Sequence, residues 1–459
     1  MSPFFFTIKS NSPGLRGRAS EILIVAIKMK TDNHFKNLAE IPLKREWSFS
    51  DKTIKHTAYI THGIYTYPAK FIPQLAAKII LEHSKENDIV LDPFMGSGTT
   101  VIEAMVNNRM AIGTDINEIA VLLAKVKSTP IDYNLLVDGY SNLISDLQYK
   151  LNIGFQKEIE IAQHHIKLPD RVDYWFKPLI KNKLIVILHN ILKIEHIDVK
   201  DFFLIVFAQI LKSCSIWLQK SVKPIRDLNK KEIDPLEKFE WQAKRILKKF
   251  NDFNCIIPPQ TDIEKYRIVK NSDARYLFCG NEKAMLIVTS PPYVTSYEYA
   301  DLHQLPSLWF GFLEELSTFR KKFIGSSFRE RSKIELKSKM AENIVFELGN
   351  HKKSREVENY FADMLESFIE MKRVLKKGGK AAIVIGNTKL KGVEILNAEV
   401  FKEQFENIGF KTHDIIHREI HSKMLPSTRD PKNGKFTKVS NDKKSLVYPT
   451  EYILIMEKE

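Results

Sequence analysis

The chain has 459 residues, 44% of them hydrophobic and 27% charged, which supports roughly two to three domain-sized units and excludes a fibre or a largely disordered chain. Its 70 Lys and Arg against 56 Asp and Glu leave a formal charge of +14, pointing to a polyanionic partner, nucleic acid first and an anionic membrane surface second. Three cysteines, Cys214, Cys255 and Cys279, share no CxxC spacing and no matching His set, so a disulfide framework and a zinc ribbon are not expected and a reducing compartment fits.

Residues 1–28 carry an apolar stretch without a basic leader or a small-residue cleavage site, a poor secretory signal; a translation start at Met29 is one hypothesis for them. Residues 1–47 are read as an N-terminal extension. No apolar run approaches the ~20 residues needed to cross a bilayer, and the longest, Phe202 to Leu211, is interrupted by Gln209 and reads as a buried helix.

The clearest local pattern is DIVLDPFMGSGTT, Asp88 to Thr100. A short apolar run ends in Asp92-Pro93 and a Gly-Ser-Gly turn, the mark of a strand entering a tight loop. Thr99 and Thr100 are placed to cap the following helix, Val101 to Asn107, whose free N–H groups face the loop. A second strand, Met110 to Asp115, ends in an acid about 23 residues past the first, which completes a βαβ unit.

From about Tyr133 to Phe253 the apolar residues fall at helical spacing with few turn signals, which predicts a mostly helical insertion. Strand patterns resume at Tyr266 to Lys270 and at Ala284 to Ser290, the latter ending in Pro291-Pro292-Tyr293. A helix from Arg355 to Leu375 stops at Gly378-Gly379, read as a C-cap, and feeds the strand Lys380 to Ile385. Phe410 to Glu419 and Glu451 to Glu457 supply two more strands. The expected fold is α/β: a doubly wound, mostly parallel, Rossmann-like sheet with a helical insertion. Its segments are 48–132, the insertion 133–262, and 263–459.

Ligands of such sheets bind at the carboxyl ends of strands, which singles out Asp92, Asp115 and Asp273. Gly96 and Gly98 let backbone approach a ligand, and Asp115 stands where these folds accept hydrogen bonds from ribose hydroxyls. Neither GxGxxG nor a Walker-type Gly-Lys-Ser/Thr is present, so a nucleoside with a short tail is favoured over a dinucleotide or triphosphate. The second constellation is Thr289-Ser290-Pro291-Pro292-Tyr293. Two prolines hold a rigid extended turn, the Ser290 hydroxyl and the Pro291 carbonyl can accept N–H bonds of an exocyclic amine, and Tyr293 offers a flat face to a base turned out of its helix.

Together, DPFMGSGTT, the acid after the second strand and TSPPY resemble the S-adenosylmethionine-dependent amino DNA methyltransferases. The resemblance covers roughly Ser48 to Pro130 and Tyr266 to Glu457. It implies that Asp92, Phe94, Gly96, Ser97, Gly98 and Thr99 form the cofactor loop, that Asp115 meets the ribose, and that Asp273 lies near the adenine. Thr61 to Ile80 is similar to the family's helix before that loop, so Tyr67, Pro68, Ala69 and Lys70 are expected at the methionine end. Ser290, Pro291, Pro292 and Tyr293 match the catalytic motif, and SPPY in place of DPPY is associated in that family mainly with N4 of cytosine. S-adenosyl-L-methionine is the implied cofactor, with no metal, and double-stranded DNA the implied partner.

The positive charge is concentrated. Leu211 to Phe250 holds 11 basic and 5 acidic residues, Phe319 to Met340 holds 8 and 2, and His421 to Lys444 holds 7 and 2, leaving the remainder slightly acidic. In the second window Arg320, Lys321, Lys322, Arg329, Arg331 and Lys333 interleave with Phe319, Phe323 and Phe328, a pattern suited to DNA contact. The expectation is thus a cytoplasmic, nucleoid-associated DNA (cytosine-N4)-methyltransferase, in a restriction-modification setting with a functionally associated endonuclease. Adenine N6 is the alternative target; an RNA amine methyltransferase and an inactive DNA-binding module are more distant ones.

Overall fold

A computed structural model describes residues 38–68, 70–257, 263–294, 299–313, 320–326, 335–349, 352–420, 428–429, 445–446 and 449–459. Met1–Pro42 and Leu43–Glu459 are separate units, and in the first the described residues include a 3-10 turn at Leu38–Glu40. All that follows concerns the second.

Helix α1 (Pro73–His83) starts on a proline, whose missing N–H costs nothing at that position, and leads into strand β1 (Ile89–Asp92). The chain continues through α2 (Thr99–Val106) to β2 (Met110–Asp115), which pairs parallel to β1 with Asp92 opposite Gly113. The expected βαβ unit is therefore present. Its helix, however, is not capped by threonine: the N-cap is Gly98 in the left-handed region, and Thr99 and Thr100 occupy the first turn. The hydroxyl of Thr100 goes instead to the Val288 carbonyl, 3.0 Å away, because a buried strand end competes for it.

Helix α3 (Glu118–Lys127) follows, and then five helices before the next strand: α4 (Tyr133–Asn152), α5 (Phe155–His165), α6 (Pro178–Leu192), α7 (Ile197–Cys214) and α8 (Pro235–Asn254). Asp132 caps α4 and Asp234 caps α8 by accepting first-turn N–H bonds. The buried faces of these helices, with Phe202, Phe203, Phe207 and Phe239, share one apolar cluster with Ala120, Leu123 and Val126 of α3 and with Leu305, Leu308 and Trp309 of α9 (Gln304–Trp309). The insertion is thus built onto the sheet's own helix layer. An ion pair from Lys125 to Asp201, 2.8 Å long, ties α3 to α7.

The remaining strands are β3 (Arg267–Asn271), β4 (Ala284–Thr289), β5 (Leu375–Ile385), β6 (Thr388–Leu390), β7 (Val393–Ile395), β8 (Phe410–Glu419), β9 (Thr428–Arg429), β10 (Ser445–Leu446) and β11 (Thr450–Lys458). Seven form the main sheet in the order β3-β2-β1-β4-β5-β11-β8; β6 with β7 and β9 with β10 make two-stranded ribbons. Pairings among β1 to β5 are parallel, while β11 runs antiparallel between β5 and β8. The doubly wound, mostly parallel sheet is as expected. One detail differs: α10 (Lys352–Val374) passes into β5 without a glycine cap. Gly378 (φ +72°) and Gly379 lie inside β5 at an irregularity where the register jumps from Leu375 opposite Ala284 to Lys380 opposite Leu286. These glycines bend a strand rather than end a helix.

Val90, Leu286, Val288, Ala382, Val384, Ile453 and Ile455 pack with α1 and α2, and the intervening Leu91, Ile287, Ile383 and Leu454, which point to the other face, are fully buried as well. On α10 and α11 (Asn397–Asn407), Phe368 meets Phe405 and Phe401 with ring centroids 4.1 and 4.8 Å apart. Among the described residues no helix is long and apolar enough to cross a membrane.

Because α3 belongs to both the sheet layer and the insertion core, the two should unfold together. Phe207, fully buried and 5.4 Å from Trp309 ring to ring, tests this. Phe207→Ala is expected to cost about 3–5 kcal/mol in denaturant unfolding, with one cooperative transition retained.

Candidate functional site

The site begins with Asp92, the last residue of β1 and only 1% exposed. Its Oδ1 accepts the Thr289 hydroxyl at 2.6 Å and the Phe94 N–H at 3.1 Å. Burial outweighs these bonds and pushes its pKa up to about 7. Thr289 ends β4, so this carboxyl joins the loop after β1 to the turn after β4. The TSPPY turn and the glycine loop thereby open onto the same space.

The loop is shaped by two glycines with positive φ, Gly96 (+47°) and Gly98 (+75°). A Cβ on Gly96 would lie 3.1 Å from the Tyr67 ring, and one on Gly98 would lie 2.9 Å from the Cβ of Ala124. From below, Lys127 donates its Nζ to the Ser97 carbonyl at 2.5 Å. This amine is completely buried, and desolvation, with Lys70 nearby, holds its pKa well below the usual lysine range.

Asp115, at the end of β2, accepts the Gly96 N–H at 2.9 Å on one oxygen and the Asn117 N–H at 2.9 Å on the other. Burial raises its pKa to about 6. Asn117 caps α3 through its side-chain oxygen, which leaves its Nδ2 buried without a partner. Asp273 is held at both oxygens by Arg275, whose Nη1 also reaches Asp363 at 2.7 Å. On the opposite side Lys70 donates to the His62 carbonyl at 2.8 Å, and burial lowers its pKa to about 8.

These groups line one cleft at the carboxyl ends of the strands. Tyr67, Lys70, Phe94, Gly96, Ser97, Thr99, Asp115, Asp273, Ser290, Pro292 and Lys322 line it, so the cofactor and catalytic expectations converge on one cavity. Asp92 lies beneath the loop and Gly98 under its end; neither they nor Pro68, Pro291 and Tyr293 are among the lining residues. Tyr293 donates its phenol to Glu451 at 3.1 Å, and Glu451 in turn pairs with Arg418 at 2.7 Å. Ala69 lies outside the described residues.

The basic window lies partly beside the cleft. Arg320 pairs with Asp301 at 2.6 Å, and the exposed Lys322 forms part of the cleft wall. Lys321 is exposed, while Arg329, Arg331 and Lys333 lie outside the described residues.

Sequence reasoning missed Asn117, Lys127 and Ile324. Asn117 carried a signal, an Asn directly before a helical pattern and two residues past the strand-end acid. Lys127 carried none, since only the fold shows that its chain runs under the loop.

A model of the N6/N4 methylase family, described as a DNA methylase, matches residues 19–126 and 284–459, more than half of the chain. The type II methyltransferase M.MvaI of Kocuria varians is 27% identical over 88% of this chain and 92% of its own length. M.MjaII of Methanocaldococcus jannaschii is 23% identical, with 89% and 87% covered, and M.BsoBI of Geobacillus stearothermophilus is 25% identical, with 79% and 82% covered.

The left-handed turn at Gly98 and its contact with Ala124 predict that Gly98→Ala destabilises the protein by about 2 kcal/mol or more, measured by thermal or denaturant unfolding. Gly280→Ala, at a position without positive φ and with only a lysine side chain 3.7 Å away, should stay within about 0.5 kcal/mol.

Proposed function

The chain belongs to the DNA methylase family, and from that premise we propose that it methylates N4 of a cytosine turned out of duplex DNA, within a type II restriction-modification setting. Its cofactor is S-adenosyl-L-methionine. The observation that carries the reading is the 2.6 Å Thr289–Asp92 hydrogen bond, which holds the TSPPY turn against the cofactor loop.

The residues present suit such a cofactor. The paired acceptors of Asp115 suit a diol, and the unpartnered Nδ2 of Asn117 offers a buried donor. When bound, the cofactor supplies a sulfonium methyl, so forming the N–C bond and breaking the C–S bond leaves a neutral thioether and one amine proton to be discarded. Ser290 then acts as an acceptor for the target N–H; its hydroxyl has no hydrogen-bond partner among the described residues, and it lines the cleft. The Pro291 carbonyl is the second acceptor, held by the two prolines. Tyr293, anchored through its phenol to Glu451, presents a fixed ring for base stacking. No covalent base adduct is needed, since positioning and charge stabilisation suffice for an activated methyl. The serine in SPPY favours cytosine N4 over adenine N6. A cognate restriction endonuclease belongs to the same proposal.

Ser290→Ala is expected to lower methyl transfer roughly a hundredfold while S-adenosylmethionine affinity stays unchanged, measured by radiolabelled transfer and by calorimetry. Nucleoside mass spectrometry of DNA methylated by the wild type should show N4-methylcytosine; N6-methyladenine would reassign the base. Because burial raises Asp115 to about 6 and the ionised form is the better acceptor, cofactor affinity should be full above that pH and decline as pH falls through it. Asp115→Asn should bind more weakly at pH 8 and lack that inflection.

A further inference from the structure

A second positively charged feature lies in the helical insertion, around Tyr174. This tyrosine is 40% exposed, with the guanidinium carbon of Arg171 4.1 Å and that of Arg226 4.2 Å from its ring centroid. Both arginines lie over one ring, so their carbons are at most about 8 Å apart. Like charges held this close call for an anion between or above them. Three acids nearby pair elsewhere, Asp173 with Lys181, Glu232 with Lys177 and Asp234 with Lys183, and Asp170 and Asp227, next in sequence to the two arginines, form no ion pair with them among the described residues. Among the described residues, no ion pair engages Arg171, Arg226, or the exposed Lys220 and Lys223.

The platform is rigid. Arg226 sits on a tight hairpin between α7 and α8, closed by the Trp217–Arg226 bridge, the Leu218 N–H to Ile225 carbonyl bond at 2.8 Å and the Asp227 N–H to Ile216 carbonyl bond at 2.7 Å. Lys230 braces it from inside by donating to the carbonyls of Lys212 and Trp217. Trp217 stacks on Trp175, 5.2 Å between centroids, and Trp175 donates to Gln304 at 3.1 Å. Next to Gln304, His303 stacks at 4.9 Å on Tyr67, a wall of the cleft. A continuous run of packed rings therefore fixes the arginine pair relative to the site.

We propose that Arg171 and Arg226, stacked on Tyr174 and flanked by Lys220 and Lys223, form a phosphate clamp for the DNA duplex beside the flipped base. This rests on the DNA-methylating reading above. A stacked guanidinium keeps its N–H edge free for phosphate oxygens and loses little freedom on binding, and phosphates along a strand recur at spacings that two such groups can meet together. The clamp positions the duplex and reads no bases.

The test uses the full chain and a 30-base-pair duplex of random sequence, its affinity followed by fluorescence anisotropy from 50 to 200 mM salt. In R171A/R226A the slope of log affinity against log salt should shrink by about 2, and affinity at 100 mM should fall at least roughly tenfold, with cofactor affinity and melting temperature unchanged. R171K/R226K, which keeps the charge, should retain most of the slope. Wild-type slope and affinity in R171A/R226A, in a protein whose wild type methylates DNA, would overturn the clamp, as would a lysine variant as weak as the alanine one. Tighter binding of single-stranded RNA than of the duplex, lost in R171A/R226A, would assign the surface to another polymer and overturn it too. A wild type that neither binds nor methylates DNA would defeat the underlying reading and the clamp with it.

Discussion

One buried carboxyl organises this molecule. Asp92 is removed from water at the end of β1, a position that costs several kcal/mol unless hydrogen bonds replace the lost hydration. One of its partners, Thr289, is 197 residues away in sequence. Strand pairing aligns β1 with β4 along their length, and the Asp92–Thr289 bond fixes how their ends meet. From that junction the glycine loop leaves in one direction and the proline turn in the other, both into a single cleft. Without this junction the sheet could still form, but its two functional turns would not share a level.

The charges around the cleft follow the same logic of desolvation. Asp115 is raised and Lys70 and Lys127 are lowered, all mainly by burial, so each group is drawn toward its neutral form. Two lysines near a site for a sulfonium would be unfavourable if both were fully charged. Burial weakens the charge of Lys127 most, and hydrogen bonds to the Ser97 and His62 carbonyls make both side chains struts under and beside the loop. Arg275, buried beside the cleft, is instead matched by Asp273 and Asp363, while Arg171 and Arg226 lie exposed.

Much of this was legible in the sequence because it is encoded locally. Apolar runs ending in acids, a Gly-Ser-Gly turn and a double proline each dictate backbone behaviour within a few residues, and the strands and the cleft-lining loop follow from them. What was not legible depends on partners far along the chain. Thr99 and Thr100 have the right chemistry for a cap, yet the Val288 carbonyl claims one of them. Gly378 and Gly379 carry the signature of a helix end, and only the pairing of β5 with β4 shows them to be a bend within a strand. The partner of Arg320, Asp301 2.6 Å away, is likewise not signalled by the basic run around it. Tyr293 is bound to Glu451, 158 residues later, which no motif around the prolines foretells.

The place of β11 has a consequence for how the polypeptide can be made. This strand, Thr450–Lys458, is hydrogen-bonded on both sides, to β5 and to β8, and its Ile453 to Met456 are fully buried. Until those residues have left the ribosome, β8 has no partner in the main sheet and β5 is paired only with β4, so each offers an open edge to any other nascent chain. A chain cut before β11 would leave both of these edges open.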